Sequence, residues 1–209
     1  MLNKKTNTKN RSNAGFTLVE LLVAMGIMVM IAMSSAWFVI HGFRYNRIIW
    51  DQLETQNDGR RVLQDVVNTV RKAEESSLGG YPLVVASDYE LTFYANIDDD
   101  SLRERVHFWL DDTTIKKGTI KPSGNPLSFS GTEDVVEIAH HVVNIAEGNP
   151  LFLYYDENYS GTEAALVQPV EIVDVRTLRV QLELEENPDE TPVPLHVESL
   201  VQIRNLKEN

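Results

Sequence analysis

Residues 16–40 read FTLVELLVAMGIMVMIAMSSAWFVI. This stretch decides the architecture. It is 25 residues long and carries one formal charge, Glu20. As a helix it would extend ~37 Å, enough to cross a ~30 Å hydrocarbon layer with some tilt. It is apolar all round, whereas a core helix of a soluble domain shows an apolar stripe. The sequence therefore predicts a membrane-inserted helix over 16–40.

The flanks agree. Lys4, Lys5, Lys9 and Arg11 precede the span, and no acid lies among them. By the positive-inside rule the N-terminus stays in the cytoplasm and the rest is exported. A cleavable secretory signal competes, since Ser34, Ser35 and Ala36 resemble its cleavage site. Its apolar region would be shorter, about 7–15 residues. A plain, uncut signal anchor is a third reading. Glu20 is the unusual residue, because a carboxylate inside an apolar span is costly unless paired or neutralised; it is either functional, or shallow enough to reach the interface, or protonated.

The junction Ala14-Gly15-Phe16-Thr17-Leu18-Val19-Glu20-Leu21-Leu22 narrows the choice. A short basic leader, then Gly-Phe-Thr-Leu-x-Glu opening an apolar helix, closely resembles the class III signal of type IV prepilins and pseudopilins. The resemblance implies that prepilin peptidase cuts after Gly15 on the cytoplasmic face. It implies that the new amino terminus, Phe16, is then methylated, and that the span stays on the mature chain. It also implies that Glu20 of one subunit pairs with the Phe16 amine of a neighbour. Two opposite charges in an apolar bundle stabilise each other, and either alone is penalised.

The remaining chain divides by composition. Residues 41–80 read as an amphipathic continuation of the helix. Apolar residues recur at Ile49, Leu53, Leu63, Val67 and Val70, with Val62, Val66 and Ala73 beside them. These spacings of three and four mark one helical face. Asp58-Gly59 is an expected weak point, and Gly79-Gly80-Tyr81-Pro82 the expected end near residue 77. From residue 81 the period becomes two. Leu91, Phe93, Ala95 and Ile97 alternate with polar neighbours, as do Val106, Phe108 and Leu110. Asp111-Asp112 reads as a turn into Ile115–Ile120. Further strands are expected over 151–155, up to Leu184, and from Leu195 to Leu206, with breakers at 121–126, 158–162 and 187–194. The fold class is α+β: a long N-terminal helix on an antiparallel β body spanning 81–209. Residues 1–15 form the leader.

The body's order, with Leu151-Phe152-Leu153-Tyr154-Tyr155-Asp156 and the ending Val201-Gln202-Ile203-Arg204-Asn205, resembles minor subunits of the J type in type II secretion and of the W type in type IV pili. That resemblance implies a structural subunit at the bacterial inner membrane, later part of a pilus or pseudopilus. Its implied partners are prepilin peptidase, other pilin or pseudopilin subunits, an inner-membrane assembly platform and the lipid bilayer. A single-span anchored binding or sensor domain outside any filament is the alternative.

Composition excludes other classes. The chain has 209 residues, no cysteine and a formal net charge of −12. Disulfide frameworks, thiolate zinc sites and cysteine nucleophiles are ruled out. The acid excess argues against a general nucleic-acid surface. Five histidines, His41, His107, His140, His141 and His196, match no metal or catalytic spacing. Neither a catalytic residue nor a cofactor is expected. The triplet Asp98-Asp99-Asp100 is a calcium candidate or a solvated turn. Asp111-Asp112 and Asp156-Glu157 would have to converge on it to favour calcium.

Overall fold

A computed structural model describes residues 15–98, 100–186, 193–203 and 205, all except the side chain of Asp51. The leader before Gly15, Asp99, the Asn187–Pro192 breakers and Arg204 lie outside the described residues. Helix α1 runs Leu18–Arg71. The chain divides into two compact units, one ending at Arg47 and one spanning Ile48–Asn209.

The first unit is helix with its apolar side chains bare. Leu21, Leu22, Met28, Ile31, Trp37 and Phe38 are all exposed. The span is long and apolar enough to cross a membrane, and none of its most apolar window is buried within the chain. Burial of such a surface stabilises by roughly 25 cal/mol per Å², so it demands an apolar partner.

In the second unit α1 presents Val62, Leu63, Val66, Val67 and Val70 to a core that also holds Phe93, Phe108, Tyr154, Leu178 and Leu182. Spacings of three, four and seven put these helical residues on one face. Ile49 and Leu53, expected on the same stripe, are exposed instead. The apolar stripe is used only from Val62 onward.

Five antiparallel strands form one sheet in the order β1 (Leu83–Ala86), β2 (Glu90–Ala95), β3 (Glu104–Asp111), β4 (Thr114–Ile120) and β5 (Asp134–Ala139). A second sheet holds β6 (Phe152–Tyr155), β7 (Thr177–Leu184) and β8 (Leu195–Gln202). One turn, α2 (Asn144–Glu147), joins them in sequence. The expected alternation is present: β3 buries Val106, Phe108 and Leu110, with the residues between them less buried. Phe93 and Phe108 stack across β2 and β3 with centroids 6.1 Å apart. Asp112 makes the β3–β4 turn at φ 55°, a left-handed conformation that Asp tolerates.

Two boundaries differ from expectation. The helix stops at Arg71, before the glycine pair. There Ala73 bridges Ala95, and the Glu74 N–H donates to the Tyr94 carbonyl at 2.9 Å. Capture by β2 ends the helix, and Gly79-Gly80 instead close a loop around Ser76, whose hydroxyl accepts from the Gly80 N–H at 2.8 Å. The last strand ends at Gln202, short of the expected Leu206. Beyond it the Asn205 amide donates to the Ala73 carbonyl at 2.8 Å, tying the tail to the helix end.

Gly59 is no weak point. A Cβ there would lie 2.5 Å from Leu184 Cδ1 and 3.1 Å from Val197 Cγ2. The glycine lets the helix approach the second sheet closely.

Candidate functional site

The helix begins with a reciprocal cap. The Thr17 N–H donates to Glu20 Oε2 at 3.1 Å, and the Thr17 hydroxyl donates to the same oxygen at 3.2 Å. In return the Glu20 N–H reaches the Thr17 hydroxyl at 3.3 Å. Ser/Thr at the N-cap with Glu three residues on forms a capping box, which satisfies donors the helix would otherwise leave bare. A carboxylate at this end also meets the positive pole of the helix dipole. Glu20 is thus held at the first turn, near the Gly15–Phe16 peptide bond.

Among the described residues, and apart from its two chain neighbours, no atom lies within 4 Å of a Cβ built on Gly15, and Phe16 is 86% exposed. Packing among the described residues therefore imposes no requirement for glycine at position 15. Any such requirement must come from whatever approaches the bond.

Residues 10–36 match the family model described as the prokaryotic N-terminal methylation motif. By this segment the chain is similar to type IV prepilins and pseudopilins. The match includes Gly15, Phe16 and Glu20, and the body lies outside it. No curated protein matches the chain. The motif implies processing by prepilin peptidase and assembly with other pilin subunits. Together with the exposed apolar span it fits a membrane-anchored structural subunit.

The body of this prepilin-like chain gathers one acidic group. Carboxylate oxygens of Asp98, Asp100 and Glu104 lie within 4.8 Å of one another. Asp98 and Asp100 were expected here from the acidic triplet; Glu104 was not. Asp111-Asp112 and Asp156-Glu157 do not join this group among the described residues. Asp111 instead accepts from Lys116 at 2.6 Å, and Asp156 accepts from the Asn158 N–H at 3.0 Å in a local turn. Lys121, just past β4, donates to Asp98 at 2.6 Å and also to Asp100. The Lys121 hydrogen bond holds the Asp100 carboxyl below its ordinary value, with the Leu102 N–H helping.

The histidines are scattered. His107 sits between Glu90 at 3.1 Å and Glu133 at 3.3 Å, stacked on Trp109. His196 Nδ1 is 2.8 Å from Glu183, and His140 is 4.0 Å from Glu137. His41 Nδ1 lies 2.9 Å from the Trp37 carbonyl one turn earlier. These are local contacts on strand faces or along the helix.

The Tyr154-Tyr155-Asp156 strand is structural in its first member. Tyr154 is buried, and its phenol donates to the Ser87 carbonyl at 2.8 Å. Burial pushes that phenol well above its ordinary value, with Asp88 and Glu90 adding to the effect.

Two features escaped the sequence reading. The capping box was visible as Thr17-x-x-Glu20, but the same letters also serve the processing motif. Glu104 was hidden because it stands at a core position of a strand, where a carboxylate is not expected.

Proposed function

We propose that this chain is a minor subunit of a type IV pilus or of a type II secretion pseudopilus. Prepilin peptidase cuts after Gly15 and Phe16 is methylated. Until assembly, the 16–40 helix rests in the inner membrane with the acidic body outside. In the filament, that helix packs among those of neighbouring subunits, and the bodies form the surface or cap. A low-copy place near the tip fits the body's J- and W-like strand order.

The observation that carries this reading is the methylation motif placed on a wholly exposed apolar helix, with Glu20 at its first turn. Glu20 has a second role in this scheme. Both bonds from Thr17 use Oε2, so Oε1 remains for the cationic amine of a neighbour's Phe16. An amine meeting no carboxylate would be left as a lone charge in an apolar bundle, which is strongly penalised. The pair therefore checks axial register as a subunit enters.

The test is incorporation. The chain is expressed with its own assembly machine, and sheared filaments are separated from membranes. Wild type should appear in the filament fraction, and Glu20→Ala should stay in the membrane. Equal recovery of the two forms in filaments would overturn the assembly role and favour a plain anchored domain.

A further inference from the structure

Glu104 opens β3 on the face that buries Val106, Phe108 and Leu110. Only 2% of its surface is exposed. A carboxylate at a core position is tolerated when its oxygens are paired. One oxygen is: Oε2 accepts from the Ile97 N–H at 3.1 Å. The other, Oε1, is buried and meets no donor among the described residues. On the same loop Asn96 Oδ1 is also buried without a donor. Its amide orientation is set by Nδ2, which donates to the Asp100 carbonyl at 2.6 Å. These two buried orphans, one in the β2–β3 loop and one at the start of β3, are both acceptors. What they lack is positive charge or a donor.

The surroundings supply more acceptors. Asp98 and Asp100 bring carboxylate oxygens within 4.8 Å of that of Glu104. Lys121 offsets these two exposed acids but does not satisfy Glu104 Oε1. The loop is also anchored. Arg103 pairs with Glu74 at 3.1 Å, and its N–H donates to Ser77 at 2.8 Å. An all-oxygen set with several carboxylates suits a hard divalent cation. Calcium tolerates irregular coordination by six to eight oxygens, whereas magnesium demands a near-ideal octahedron.

We propose that Glu104, Asp98 and Asp100 form a calcium site as carboxylate ligands, with Asn96 Oδ1 as a further donor. Lys121 is the resident counter-ion that calcium displaces, and its half-exposed side chain has solvent to move into. The site ties the β2–β3 connection to the end of β4. This inference is independent of the filament assignment.

The test uses the full chain in detergent micelles, stripped with a chelator and titrated with calcium chloride by calorimetry, with parallel thermal melts. The expected result is one saturable site with Kd on the order of 10⁻⁴–10⁻³ M, the range of extracellular calcium modules. The melting temperature should rise with calcium and not with equal magnesium. Asp98→Asn with Asp100→Asn changes only exposed groups, so this variant keeps the fold. It should bind about tenfold more weakly or worse, because affinity follows ligand charge. Lys121→Gln removes the competitor and should bind more tightly. A flat titration of wild type through the millimolar range would overturn the site. So would wild-type affinity in the double variant, and an equal shift with magnesium would overturn the assignment to calcium.

Discussion

Gly15, Thr17 and Glu20 lie within a six-residue stretch at the start of α1 and divide the work between them. Thr17 and Glu20 cap the helix, while among the described residues nothing beyond its chain neighbours lies within 4 Å of a Cβ built on Gly15. Gly15→Val should therefore block removal of the leader and leave the body's thermal melt unchanged. Gel mobility with and without prepilin peptidase reads the first effect, and calorimetry reads the second. A different residue reports on the body's loops. Glu163 accepts from the Ser160 hydroxyl and from backbone N–H groups of that loop, which lower its pKa from 4.5 to about 2. A depressed acid contributes order that is complete above its unfolded value and is lost as pH falls through the folded one. The 158–163 turn should hold at pH 4.5 and loosen toward pH 2. A carboxyl carbon NMR titration would follow it, and Ser160→Ala should raise the midpoint toward 4.5. At this scale the sequence is most specific where residue type and register coincide, and the matched family model spans Gly15, Phe16 and Glu20. It was silent on Glu104, because burial of a carboxylate depends on a strand register that only the folded sheet reveals.

Elements that alternate clearly were legible. Strand β3 buries every second residue and β7 does so from Leu178 onward, and the sequence shows it. Strand β5 was missed because Asp134–Glu137 are all exposed on a sheet edge, which removes the alternation. Strand β1 has four residues and was too short to read beside Pro82. Two substitutions probe the packing between elements. Gly59→Val would gain about 1 kcal/mol of helix propensity at most. It would also push a branched side chain into Leu184, which is buried, and overpacking costs about 1–3 kcal/mol. The expected net result is a lower unfolding midpoint in denaturant. Asn144 is fully buried and clasps β7, donating to the Gln181 carbonyl at 3.1 Å and accepting from the Glu183 N–H at 2.8 Å. Asn144→Ala leaves both groups unpaired and should cost about 1–3 kcal/mol. A melt within a degree of wild type would contradict that role.

For the whole molecule, the two units pose opposite problems. The body buries its apolar residues in a shared core, while the span exposes its own. A chain beginning at Ile48 should remain soluble and folded without detergent, by circular dichroism and size exclusion. The full chain should require detergent or membrane. An aggregating Ile48 chain would mean that the body depends on the preceding helix. The span was legible as a helix long and apolar enough to cross a membrane, because length and apolarity need no tertiary contact. The body's two-sheet arrangement was not, since it rests on long-range pairs such as Val142 with Leu184. The central claim concerns what is done to the N-terminus, and intact mass reads it directly. The chain is co-expressed with a prepilin peptidase and its membrane-bound product is weighed. The expected product has lost residues 1–15 and gained one methyl group. An uncut chain, or one cut beyond Ala36, would contradict the assignment.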